Sequence, residues 1–245
     1  MNPQPLSPVR EERALLCDAL LAAGPDARTE CEGWTAADLA AHLVVRERRP
    51  DTLPGIVLRP LAFHTERVRR RTVRNVPFER LVDRIRQGPP KWSLYALPGM
   101  DERANGVEFF VHHEDVRRAQ PDSVPRSLTP ALEDLLWRRI RIARFALRKV
   151  PVEVTLIRPD GRSARVSGER PSRAVRNTRS GSVSSRGPSG TGRAAHASTA
   201  SGGVRVHGTV GELLLWALGR TEVAQVRITG SRESVKALTE SGRGL

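Results

Sequence analysis

Lysine is nearly missing from this 245-residue chain: Lys91, Lys149 and Lys236 stand against 38 arginines. Cysteine is as scarce. Cys17 and Cys31 are the only two, too few for a disulfide scaffold, and they read as spare thiols of a reducing compartment. No stretch approaches the roughly 18–20 consecutive apolar residues that a membrane-spanning helix needs. The opening MNPQPLSPVREER has no apolar run of the kind a secretory signal carries. Also missing are a Gly-rich phosphate loop, a Ser nucleophile elbow and a Cys-x-x-Cys pair, which removes the commonest nucleotide, hydrolase and thiol-redox signatures. These absences lead us to expect a cytoplasmic protein with no membrane partner.

What the chain does have is charge, a formal +14 from 41 basic and 27 acidic residues. Such an excess suggests a polyanion, because basic side chains release counterions from nucleic acid. Its distribution argues otherwise. Residues 165–203 hold seven arginines and one acid, Glu169, and so carry +6 of the +14. The basic face around Arg67, Arg69, Arg70, Arg71 and Arg74 has no interleaved aromatic residues for base stacking, and a charge run of this kind reads as a solvated face. Nucleic acid is therefore not the expected partner.

The organisation is helical up to about residue 149. Ser7-Pro8 starts a helix that Gly24-Pro25 stops, and Thr35 with Asp38 makes a capping-box-like start for a second. That second helix carries Leu39, His42, Leu43 and Arg46 on one side. A basic helix is expected over Ala62–Arg74, a short one through Phe78 to Ile85, another over 103–119, and a long one from Thr129-Pro130 to Leu147. Four or five amphipathic helices among these six make a bundle. At Pro151 the pattern changes to strands: Val152–Ile157, an Asp160-Gly161 hairpin signal, Arg162–Val166, and later Val204–His207 and Val223–Thr229. Helices are expected over Gly211–Gly219 and Ser231–Ser241. The fold class is thus an α-helical bundle over 1–149 followed by a small α+β domain over 150–245. Residues 167–203 are rich in Ser, Gly and Arg and contain no Leu, Ile, Phe, Trp, Tyr or Met, so a disordered insertion is expected there. Trp34, Trp92, Trp137 and Trp216 read as core anchors.

The residues that could carry chemistry lie in Glu108-Phe109-Phe110-Val111-His112-His113-Glu114-Asp115. On a helix, Glu108 and His112 stand one turn apart on one face, and Asp115 continues the line. A carboxylate and an imidazole so placed can share a metal ion, and His42 is the best further ligand. Asp115 could then orient His112 through the other ring nitrogen. The same spacing also describes a solvated surface pair. His113 competes as ligand, although its rotation of about 100° from His112 turns it off the Glu108 face. Cys31 could approach the metal, with a buried thiol as the simpler reading. Spacing alone leaves these choices open.

The run Gly33-Trp34-Thr35-Ala36-Ala37-Asp38-Leu39-Ala40-Ala41-His42-Leu43 resembles the G-W-T-x-x-D-L-x-x-H-L signature of DinB-like proteins. More narrowly, it resembles the mycothiol-dependent maleylpyruvate isomerase N-terminal family, in an uncharacterised actinobacterial metal-binding branch. The second motif of that family, E-x-x-x-H-x-x-D, is matched by Glu108, His112 and Asp115. The resemblance covers roughly residues 6–160. It implies a divalent metal, usually zinc (Zn2+), held by His42, Glu108 and His112 inside a helical bundle. Gly208–Arg220 resembles the G-x-x-G-E-L-L-L-x-x-x-G-R element of the small domain that follows the bundle in that family, an α+β module similar to sterol-carrier folds. Residues 167–203 depart from the family pattern, as a natural insertion or a shifted reading frame would. The implied activity is a thiol (mycothiol)-dependent isomerisation or S-transfer on a small electrophilic molecule, with mycothiol as cosubstrate. The alternative is a non-catalytic metal or small-ligand binding protein.

Overall fold

The computed structural model describes residues 7–52, 62–97, 99–167 and 203–241. A mostly helical region comes first. Helix α1 (Pro8–Ala23) starts where the Ser7 hydroxyl accepts from the Arg10 amide, and it ends at Gly24, whose φ of 83° few other residues adopt. Helix α2 (Ala36–Arg48) opens on a full capping box. Thr35 accepts from the Asp38 amide while the Asp38 carboxylate accepts from the Thr35 amide. Helices α3 (Ala62–Asn75), α4 (Phe78–Gln87), α5 (Met100–Arg118) and α6 (Pro130–Arg139) follow.

The helices of this region match the expected ones with two differences. Helix α5 begins at Met100 rather than at 103, with Asp101 and Glu102 in its first turn, where carboxylates favour a helix N-terminus. The long helix expected up to Leu147 stops at Arg139 and tightens into a 3-10 turn over Ile140–Ile142 before a short helix α7 (Ala143–Ala146). The tighter turn still buries Ile140, Ala143, Ala146 and Leu147. Trp92 is 63% exposed and anchors nothing, because the turn after Pro89-Pro90 carries it outward. Trp216 is buried, and Trp34 and Trp137 lean on the core.

The second region mixes a sheet with two helices. Strands β1 (Val154–Ile157), β2 (Ser163–Ser167), β3 (Val204–His207) and β4 (Arg227–Thr229) form one sheet in the order β2-β1-β3-β4. β1 runs antiparallel to β2 through the turn at Gly161, parallel to β3, and β3 runs antiparallel to β4. Helix α8 (Val210–Ala217) follows β3, and α9 (Arg232–Glu240), capped by Ser231, follows β4. The strand expected over Val223–Thr229 shrinks to its last three residues. The Ala224 amide instead donates to the Arg220 carbonyl, and the Gln225 amide to Glu212 Oε2 at 2.6 Å, so neither joins the ladder. Ser167 closes β2 and Gly203 leads into β3; the rest of the Ser/Gly/Arg-rich segment lies outside the described residues.

One hydrophobic cluster runs through both regions, from Val9 and Leu16 in α1 through Phe109 in α5 and Leu136 in α6 to Leu156, Val206 and Leu214. α1 lies along α5, α2 packs on α3 and α4, and α8 packs on α5, α6 and α7. The approach of α8 is close: a Cβ at Gly211 would come within 2.8 Å of Phe110 Cζ. Charges cross-link the same elements. Arg118 in α5 donates to Glu114 Oε2 at 2.7 Å, to Glu212 Oε1 of α8 at 2.5 Å and to the Val223 carbonyl at 2.9 Å. Arg126 bridges Glu114 and Glu12 of α1. Among the described residues, no helix is long and apolar enough to cross a membrane.

Candidate metal centre

Two helices bring the site together. The capping box fixes the start of α2, and His42 follows two turns later, facing α5. Glu108 and His112 occupy one face of α5, as the i, i+4 spacing predicts. His42 Nε2 lies 3.1 Å from Glu108 Oε1, and His112 Nε2 lies 3.3 Å from the same oxygen. The two imidazole rings meet edge to face with centroids 5.3 Å apart. One ligand atom from each of the three residues falls within 4.8 Å of the others. Donors about 2.0–2.1 Å from one tetrahedral ion lie roughly 3.3–3.4 Å from each other, and the two separations from Glu108 Oε1 are close to that. Glu108 is 26% exposed, which leaves the cluster open on one side.

Asp115 is fully buried behind His112. Its Oδ2 lies 2.9 Å from His112 Nδ1, the nitrogen turned away from Glu108. This is how a carboxylate fixes the tautomer of a metal-binding imidazole. Arg220, just after α8, then grips Asp115 with both arms, Nε to Oδ1 at 2.8 Å and Nη2 to Oδ2 at 2.7 Å. Cys31 Sγ sits 3.1 Å from Asp115 Oδ2 and 3.9 Å from His112 Nδ1. It is only partly buried, so the fully buried spare thiol is Cys17 alone. Cys31, His112 and Asp115 form a second group of donors that could hold a metal, sharing His112 with the first. His113 points the other way, its Nδ1 2.8 Å from the buried Glu12.

The electrostatics suit a cation at Glu108 and His42, against two competitors, the first of them the proton on His112. Burial acts to raise the Glu108 carboxyl, but Arg46, His112 and His42 outweigh it and hold it well below the usual carboxylate range. Burial pulls His42 down, toward the neutral form a ligand needs. Burial would lower His112 too, but Asp115, Cys31 and Glu108 more than offset it and raise it well above an ordinary histidine. Burial likewise opposes the ionised Asp115, yet His112 and Arg220 bring it down to about 2. The second competitor is Arg46, whose Nε lies 3.4 Å from Glu108 Oε1. It is tied back by the Ala104 carbonyl at 2.8 Å and stacks over Tyr95.

The structure therefore brings His42, Glu108, His112 and Asp115 together and turns His113 away. Sequence reasoning left Cys31 open and did not single out Arg46 or Arg220 for a role. Arg46 was visible as the residue one turn beyond His42 on the same helix face. Arg220 lies 105 positions from Asp115, and no local pattern links them. No protein-family model matches the chain, and comparison with curated proteins and with solved structures finds no match either. Fold and site define a class: a mostly helical region followed by a mixed sheet-and-helix region, with a candidate metal-coordinating cluster.

Proposed function

We propose that the chain holds a divalent metal ion through His42, Glu108 and His112, in the manner of the DinB-like and mycothiol-dependent maleylpyruvate isomerase N-terminal proteins it resembles. The observation that carries this reading is the division of His112: Nε2 faces Glu108 and His42 while Nδ1 is held by a buried, Arg220-braced Asp115. An ordinary surface Glu–His pair has no need of such backing. A bound ion would supply Lewis acidity that keeps a small thiol as thiolate at neutral pH. The chain's own residues would do the rest. Asp115 keeps the His112 proton on Nδ1, Glu108 contributes negative charge, and the open side beside Glu108 admits thiol and electrophile. The activity is then a thiol (mycothiol)-dependent isomerisation or S-transfer on a small electrophilic molecule, with zinc the first metal to test.

Purified protein is expected to carry about one divalent ion per chain by elemental analysis. His42→Ala, Glu108→Ala and His112→Ala should each lose most of it while keeping their helical circular dichroism. Wild type with no stoichiometric metal, even after reconstitution, would overturn the reading. Thiol-dependent consumption of an electrophile such as maleylpyruvate separates an enzyme from a non-catalytic metal-binding protein. In the second case metal is retained and no turnover is seen.

A further inference from the structure

A second site lies on the sheet of the C-terminal region. A cavity of about 740 Å³ opens at the carboxyl ends of the parallel strands β1 and β3. Ligand pockets fall in this size range, and ligands of α/β sheets favour that end of parallel strands. Ile157, His207 and Arg227 are register partners across β1, β3 and β4, so they stand side by side on one face. Leu156 and Val206, one position back, point into the core. The cavity wall adds Arg158, Pro159 and Val226 to that row, and no Asp or Glu lines it.

The polar groups of this wall have unused capacity. Arg227 is exposed and has no ion-pair partner among the described residues. His207 Nε2 lies 3.2 Å from the Thr229 hydroxyl, and when that hydroxyl donates to it the ring proton sits on Nδ1. His207 Nδ1 is left without a partner among the described residues. Arg158 is 90% buried, its guanidinium over Trp137 and its Nη2 between Glu133 at 2.9 Å and Asp160 at 3.3 Å, so its charge is already matched.

We propose that this cavity binds a small organic anion. Its carboxylate or phosphate would be recognised by His207 and Arg227, and its apolar body would rest on Ile157, Pro159 and Val226. The site shares no residue with the His42–Glu108–His112 cluster and does not depend on metal.

Calorimetric titration of the full chain tests it, with phenyl phosphate, benzoate and inorganic phosphate as probes and His207 ring signals followed by NMR. Saturable binding of phenyl phosphate or benzoate is expected, weakened about tenfold in Arg227→Gln. Tighter phenyl phosphate than benzoate assigns a phosphate monoester, and the reverse a carboxylate. Inorganic phosphate should bind more weakly than either, because it lacks the apolar body. Arg227 is exposed, so Arg227→Gln keeps the fold. His42→Ala should leave binding unchanged. No saturable binding of either organic probe, unmoved His207 signals, or affinity unaffected in Arg227→Gln would overturn the proposal.

Discussion

The two ring nitrogens of His112 face different neighbours, and this predicts how the centre responds to change. Asp115→Asn removes the charge that favours a proton on Nδ1 while keeping a similar shape. Metal affinity is expected to fall about 10–100-fold, read by competition with a chelator. The pH dependence has a definite sign. Metal binding displaces protons from histidine, so apparent affinity should rise with pH, about tenfold per pH unit for each proton displaced. Because His112 holds its proton more tightly than an ordinary histidine, that rise should extend above the usual histidine range. For the apoprotein, Asp115 acts in the opposite part of the scale. Its folded value of about 2 lies below its ordinary 3.8, so its contribution to stability is present above 3.8 and is lost as pH falls through about 2. An acid unfolding titration of wild type against Asp115→Asn checks this. At this scale Glu108 and His112 were legible because one helical turn joins them. Cys31 was left open and Arg220 was not legible, because only tertiary packing brings them to Asp115.

Helix ends and close approaches set the position of the elements. Thr35→Ala removes one half of the capping box that opens α2 and should cost about 1 kcal/mol by denaturant titration. Gly106 lies where α5 meets α6, and a Cβ there would collide with Leu135 Cδ2. Gly106→Ala should therefore destabilise by about 1–3 kcal/mol, with the midpoint shifted and the slope unchanged. The caps of α1 and α2 and the hairpin at Asp160-Gly161 were readable because side chains a few residues apart create them. The break after Arg139 and the shortening of β4 were not. The first trades one helical hydrogen-bond pattern for another without disturbing the apolar stripe. The second depends on Glu212, in a different element, capturing the Gln225 amide.

At the scale of the whole molecule, a shared apolar cluster and buried charges join the helical and mixed regions. Arg118 and Glu212 are 8% and 6% exposed and pair across α5 and α8. Glu212→Ala leaves part of a buried guanidinium without its partner and should cost about 3 kcal/mol. Wild type is expected to unfold with coincident transitions by far-ultraviolet circular dichroism and tryptophan fluorescence. Separate transitions would show that the buried links do not couple the two regions. The change from helix to strand at Pro151 was evident from the pattern of apolar residues. The shared core was not, because Gly211 and Phe110 are far apart in the chain and meet only through packing.

The Arg220 clamp on Asp115 also imposes an order of events when the chain is made. Asp115 leaves the ribosome 105 residues ahead of the arginine that holds it. A growing chain can form α2 and α5 early, but its His112 is not braced until the mixed region has emerged and docked. On the proposed reading, metal selection by the finished centre is therefore a late event in the life of each chain. A nascent chain stalled before residue 220 should present the same two histidines as a loose, unselective chelator.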